Sequence, residues 1–197
     1  MTTTGDGALV LRGLLKRYGA TTAVDGLDLT VPPGAILGLV GPNGAGKTTT
    51  LSMATGLLRP DRGTVHVHGV DVWRDLPAAH RLLGVLPDGL RTLDRLTGPE
   101  LVEYTGRLHG LTRAVARART AEVLRVLDLA DAGRTLVVDY SAGMRKKVGL
   151  ACAVVHGPRV LVLDEPFEAV DPVAGGTIRA LLRSFVADGG RWWSPAT

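Results

Sequence analysis

The stretch Gly41-Pro42-Asn43-Gly44-Ala45-Gly46-Lys47-Thr48 fits the spacing G-x-x-x-x-G-K-[ST], and that spacing suits phosphate. Gly41, Gly44 and Gly46 let the backbone curl until successive N–H groups point inward at anionic oxygens. Lys47 supplies a point charge for the β and γ phosphates, and the Thr48 hydroxyl is a hard oxygen ligand for Mg²⁺. An apolar run, AILGLV, precedes the loop, and a helix is expected from Lys47 onward. Its positive dipole end would face the same anion. The predicted nucleotide-binding stretch is therefore Gly41, Pro42, Asn43, Gly44, Ala45, Gly46, Lys47, Thr48 and Thr49.

A second stretch, Val160-Leu161-Val162-Leu163-Asp164-Glu165, is an apolar run that ends in two acids. A carboxylate closing a buried strand is costly unless a cation meets it, so Asp164 fits the Mg²⁺ side of a nucleotide site. Glu165 fits a base that polarises an attacking water. Just before this run lies Asp139-Tyr140-Ser141-Ala142-Gly143-Met144-Arg145-Lys146-Lys147, in which Ser141 opens a helix.

In this order and spacing, GPNGAGKTT, YSAGM and VLVLDEP resemble the ATPase subunits of ABC transporters, and the likeness covers nearly the whole chain. The YSxGM wording and the stretch LTGPELVEYTGRLHGL most resemble bacterial ATPases that serve ABC-2-type, drug-exporter-like permeases. The resemblance implies ATP and Mg²⁺ as ligands, with Glu165 and Lys47 as the catalytic pair. Tyr18, in KRYG, matches the aromatic residue that stacks on adenine. Ser141, Ala142 and Gly143 match a signature segment that a head-to-tail homodimer presents to the partner's ATP. Asp171, in AVDP, matches the loop that crosses between the two copies.

The chain departs from the family pattern at several of these positions. Tyr140 and Ala142 stand where many members have Leu and Gly. Asp88 stands at the strand end where the family usually places Gln, so the implied metal set is Thr48, Asp88 and Asp164. Its shorter, charged side chain adds repulsion near Asp164 and Glu165. The implied partner is a membrane-spanning permease, with the ATPase in the cytoplasm, peripheral on the inner face of the cell membrane.

The elements that must position these residues read as α/β. The expected fold is a phosphate-loop NTPase (RecA-like) core with an antiparallel β layer and a helical insertion at residues 89–141, all within one ATPase domain, 1–197. ALVLRGL, DGLDLTV, AILGLV, GTVHVHG and VDVW read as strands. A capping box, Thr97 to Glu100, opens a helix that closes near Gly110. Further helices are expected over residues 112–129, from Ser141 to Gly157-Pro158, and from Asp171-Pro172 to Gly189-Gly190.

The 197 residues carry a net charge of +4 and are 45% hydrophobic, with no apolar run long enough to span a membrane. No leader for secretion is evident, and the single Cys152 excludes a disulfide framework and a cysteine-rich zinc site. Basic groups at Arg113, Arg117 and Arg119 and at Arg145, Lys146 and Lys147 read as solvated helix faces. No aromatic-rich basic strip accompanies them, so no nucleic-acid partner is expected. An ABC ATPase acting on nucleic acid is the weaker alternative. His66 and His68, read as sharing a strand face, lack an evident third metal ligand.

The resemblance also implies a switch His on a strand after the helix that follows the acidic pair, yet no His follows His156. The expected form is therefore incomplete at its C-terminus, lacking that strand and later elements, and slow in hydrolysis. A catalytically impaired nucleotide-binding remnant is the second reading. The tandem Trp192-Trp193 suggests a Val-Val strand read one base out of frame, because TGG TGG shifted by one base gives GTG GTG.

Overall fold

A computed structural model describes residues 7–35, 37, 39, 42, 44–87, 93, 95–168 and 170–189. The chain divides into two units, Met1–Leu83 and Gly84–Thr197.

In the first unit, strand β1 (Leu9–Tyr18) runs between β2 (Thr21–Val31) and β3 (Arg62–Val67), and β4 (Val70–Asp71) extends the sheet. All the pairings are antiparallel, in the order β2-β1-β3-β4. Leu9 lies opposite Val31 on one side and Val67 on the other. Leu11 and Leu14 have opposite parity, yet both are fully buried. The register shifts between them, where Gly13 takes φ +55° and donates its N–H to Asp28 Oδ1 at 2.7 Å. The irregularity turns the strand by one residue and returns Leu14 to the core face.

Two expectations for this unit are corrected. VDVW is a strand only over Val70–Asp71. The Asp71 carboxylate accepts the N–H groups of Trp73 (2.8 Å) and Arg74 (3.2 Å), which pulls the chain out of the ladder. His68, at φ +45°, lies in the turn after β3, so it does not share a strand face with His66. His66 instead approaches Asp71, Nε2 to Oδ2 at 3.9 Å. Helix α1 (Lys47–Ala54) starts where expected. Helix α2 (Leu76–Leu82) was not anticipated. It opens on Asp75, whose side chain accepts from Ala78 N at 3.0 Å, with a proline in the first turn.

Strand β5 (Leu83–Leu86) leads into the second unit and pairs with β6 (Val160–Leu163). Helices α3 (Gly98–Leu108), α4 (Arg113–Val126), α5 (Ala142–Val154) and α6 (Pro172–Ala187) supply the core around this pair. All four start at the residues whose side chains can cap them. Thr97 and Glu100 form the reciprocal capping box, and Thr112, Ser141 and Asp171 each accept from the first turn of their helix. A cap contributes about 1 kcal/mol. A fully buried aliphatic side chain contributes about 1.5–3 kcal/mol, so the caps fix the boundaries while the apolar faces fix the packing. Val102, Leu124, Val148, Ala151, Ile178 and Leu181 meet in one cluster. Among the described residues, no helix is long and apolar enough to cross a membrane.

Ile36, Gly38 and Val40 of the expected strand AILGLV lie outside the described residues, as do Gly41, Asn43, Asp88 and the C-terminal stretch from Gly190.

Candidate functional site

In the first unit, the described part of the phosphate loop is Pro42 and Gly44 to Thr49. Ala45 N donates to Pro42 O at 3.2 Å, closing a turn. Gly44 and Gly46 take φ +83° and +77°, in the left-handed region. Gly46 is the N-cap of α1, and a Cβ on it would run into the backbone carbonyl oxygen of Ala23. Glycine therefore answers two demands at this position, a backbone angle and a close approach to β2. Because Gly46 offers no side chain, no side-chain hydrogen bond caps α1, and its first turn carries no acid. The helix start thus keeps N–H donors and a positive dipole end for an anion. The Lys47 ammonium donates to Pro42 O at 3.1 Å, which folds it over its own loop. Thr48 is exposed at the first turn. Tyr18 closes β1 and is 52% exposed, with the Lys16 ammonium 5.9 Å from its ring centroid. An open aromatic face beside a cation suits a flat, electron-rich ring.

In the second unit, Asp164 follows β6 directly. Its N–H donates to Leu86 O at 2.8 Å, and the residue is only 8% exposed. Among the described residues its carboxylate has no hydrogen bond or ion pair, so a divalent cation fits the buried charge. Glu165 takes φ +47°, rare for a residue with a Cβ. Its carbonyl accepts Glu168 N at 3.1 Å and the Lys146 ammonium at 2.9 Å.

Ser141 caps α5 by accepting Met144 N at 3.2 Å, leaving Ala142 and Gly143 as the first helical residues. A Cβ on Gly143 would sit 3.2 Å from Asp171 Oδ2 and 3.5 Å from Ala174 Cβ, so the signature turn and the start of α6 touch directly. The Asp171 carboxyl is held below its ordinary range first by the Ala174 N–H and then by the Val173 N–H, with a smaller contribution from Lys147. Tyr140, standing where many family members have Leu, is 2% exposed. Its hydroxyl donates to Ala132 O at 3.3 Å, and burial pushes its pKa up. It anchors the turn from inside.

The structure brings Gly143 together with Asp171, and Glu165 together with Lys146. Nothing local in the sequence signals either contact, since the partners lie 28 and 19 positions apart. The solvated-face reading of Arg145, Lys146 and Lys147 is corrected. The Arg145 guanidinium donates to Tyr140 O, Lys146 to Glu165 O, and the buried Lys147 lies 3.7 Å from Asp128 Oδ2. Arg119 also turns inward, donating to Val155 O at 3.4 Å. The His156 ring, just past α5, stacks on that of His109 at 3.8 Å between centroids. Among the described residues no cluster of three His, Cys, Asp or Glu is placed to hold a metal.

The family model described as ABC transporter matches residues 24–168. The chain is 44% identical over 184 residues to the daunorubicin resistance ATP-binding protein DrrA3 of Streptomyces coeruleorubidus, covering 93% of this chain and 58% of that one. It is 40% identical over 174 residues to the Nod factor export ATP-binding protein I of Paraburkholderia xenovorans, covering 88% and 57%. A solved structure described as the ATP-binding subunit of an ABC transporter superposes with a TM-score of 0.86 at 27% identity, over 93% of this chain and 77% of that one. The chain therefore spans less than two thirds of the length of the curated relatives it matches, and its fold is that of an ATP-binding cassette with a phosphate-loop core.

Proposed function

The chain belongs to the ABC transporter family, and from that premise we propose that it binds and hydrolyses ATP to power a membrane permease, in the direction of export. The observation that carries this reading is the start of α1, an uncapped helix N-terminus opened by a left-handed glycine and followed at once by Lys47. The direction rests on the relatives' names, one given to export and another to drug resistance.

In this reading residues 1–197 form one ATPase domain with a helical subdomain at 89–141. The loop Gly41, Pro42, Asn43, Gly44, Ala45, Gly46, Lys47, Thr48 and Thr49 holds the phosphates, and the open face of Tyr18 receives the adenine. By family resemblance Thr48 and Asp164 would hold Mg²⁺, with Asp88 as the third candidate, and the metal would supply charge neutralisation at the phosphates. Lys47 balances phosphate charge, and Glu165 takes the proton of the attacking water. Ser141, Ala142 and Gly143 offer the N-terminus of α5 to the ATP of a second copy, so that a homodimer completes each site. The permease places this subunit on the cytoplasmic face of the membrane. The exposed Tyr18 and Thr48 and the buried carboxylate of Asp164, unpaired among the described residues, support these roles.

Isothermal titration with Mg·ATP tests the assignment. Lys47→Ala removes a charge-assisted phosphate contact worth about 1.5–3 kcal/mol, a loss of roughly tenfold to 150-fold in affinity. Equal affinity in parent and variant would remove the nucleotide site from this loop.

A further inference from the structure

Lys146 is half-buried in the first turns of α5, three residues after Gly143, and composition alone makes it a solvated charge. The structure puts it to another use. Its ammonium reaches across from the signature helix and donates to the backbone carbonyl of Glu165 at 2.9 Å. That carbonyl belongs to the one residue of the acidic pair with a left-handed backbone, φ +47°. A residue with a Cβ holds that conformation only when its surroundings over-determine it. Two contacts do so from opposite sides along the chain. Glu168 N donates to the same oxygen at 3.1 Å from the turn that follows, and Lys146 donates from a different element. Immediately upstream, Asp164 N is tied to Leu86 O at 2.8 Å. The peptide that carries Glu165 is therefore held on both sides, and Lys146 is a charged anchor on it.

We propose that Lys146 is a positioning residue for Glu165: by holding the Glu165 carbonyl it selects the left-handed backbone that aims the carboxylate. The inference rests on the reading of Glu165 as the base. A charge-assisted donor on one lone pair of the carbonyl leaves the other for Glu168 N, so the two bonds reinforce one geometry. Without the ammonium, the backbone relaxes toward negative φ, and the Cα–Cβ direction of Glu165 swings with it. Arginine at position 146 keeps the donor and the charge; methionine keeps the length and loses both.

The test uses the whole chain as parent, Lys146→Met, Lys146→Arg and Glu165→Gln. Carbonyl and amide NMR signals of Glu165 and Glu168, with amide exchange at Glu168, read the anchor without any turnover. Single-turnover hydrolysis of labelled ATP, with ATP affinity measured separately, reads its consequence. Lys146→Met is expected to shift both signals, to speed exchange at Glu168, and to lower the hydrolysis rate about tenfold while affinity stays within about twofold. Lys146→Arg is expected to restore all of these. Unmoved signals in Lys146→Met overturn the proposal, and so does a hydrolysis rate that stays at the parent value while the signals move. Glu165→Gln separates the two ideas: it should lose what turnover the chain has and keep the parent Glu168 amide signal and exchange. Full turnover in Glu165→Gln removes the base assignment and with it the role given to Lys146, whereas a shifted carbonyl in Lys146→Met alone still verifies the anchor.

Discussion

The two glycines of the phosphate loop differ in what a methyl group would meet, and that difference sets a sharp expectation. Gly44 has φ +83° with nothing among the described residues within 4 Å of an added Cβ. Gly44→Ala therefore incurs only the left-handed backbone penalty of about 1 kcal/mol. Gly46 has φ +77°, and its added Cβ would lie 3.2 Å from Val24 Cγ2 and 3.3 Å from the Ala23 carbonyl carbon, with the Ala23 oxygen nearer than any real Cβ tolerates. Gly46→Ala adds an overpacking cost of about 1–3 kcal/mol to the same backbone penalty, because the obstacle is main chain and cannot rotate away. In the free protein each variant loop escapes its strain by leaving the curled form, and ATP must restore that form on binding. Apparent affinity then falls by the fraction of loops still competent. About 1 kcal/mol gives a loss of roughly fivefold for Gly44→Ala, and about 3 kcal/mol gives roughly 150-fold for Gly46→Ala. Titration of Mg·ATP into both variants, with thermal midpoints measured alongside, is the assay. If Gly46→Ala binds as tightly as Gly44→Ala, the close approach of Gly46 to β2 does not hold the loop, and the reasoning fails.

Two further outcomes test the frame around the site. Gly98→Ala would drive a Cβ into the Tyr140 hydroxyl, with the ring carbon Cζ at 3.3 Å, and is expected to destabilise by about 1–3 kcal/mol. In a Tyr140→Leu background the cost should nearly vanish, and additive denaturant midpoints would refute the contact. The Glu100 carboxyl is held below its ordinary range, first by the Thr97 N–H and then by the Thr97 hydroxyl. A carboxyl with a lowered folded pKa contributes fully above its unfolded value of about 4.3 and loses that contribution as the pH falls through the folded value. Glu100→Gln should therefore flatten the acid limb of the stability curve and leave the rest of its shape alone; an unchanged acid slope counts against the capping box.

The parts of the fold that were legible are those settled by a few neighbouring residues. Thr97, Thr112, Ser141 and Asp171 each mark a helix start because one side-chain oxygen can satisfy an N–H two or three positions on. The same rule was available for Asp75, yet α2 went unread because its seven residues are too few for an apolar period to stand out. VDVW failed for the opposite reason. Its alternation is that of a strand, but Asp71 turns its carboxylate onto the N–H groups two and three positions on, and a local side-chain bond outcompetes the ladder. Gly13 hid a register shift, since an alternating pattern gives no sign of where a strand will gain a residue.

For the candidate site the division follows sequence distance. The turn at Gly46 and the start of α1 at Lys47 are legible because these residues are consecutive and their geometry is local. The setting of the acidic pair is not, because it depends on elements far apart in the chain. Composition offers 23 basic residues against 19 acidic ones and suggests that the surplus faces water. On α5 the three consecutive basic residues instead serve three different elements: Arg145 the carbonyl before its own helix, Lys146 the carbonyl after β6, and Lys147 the carboxylate following α4. A helix advances about 100° per residue, so three neighbours necessarily point in three directions. What read as one basic cluster is a set of separate ties, and the middle tie ends on the backbone of Glu165.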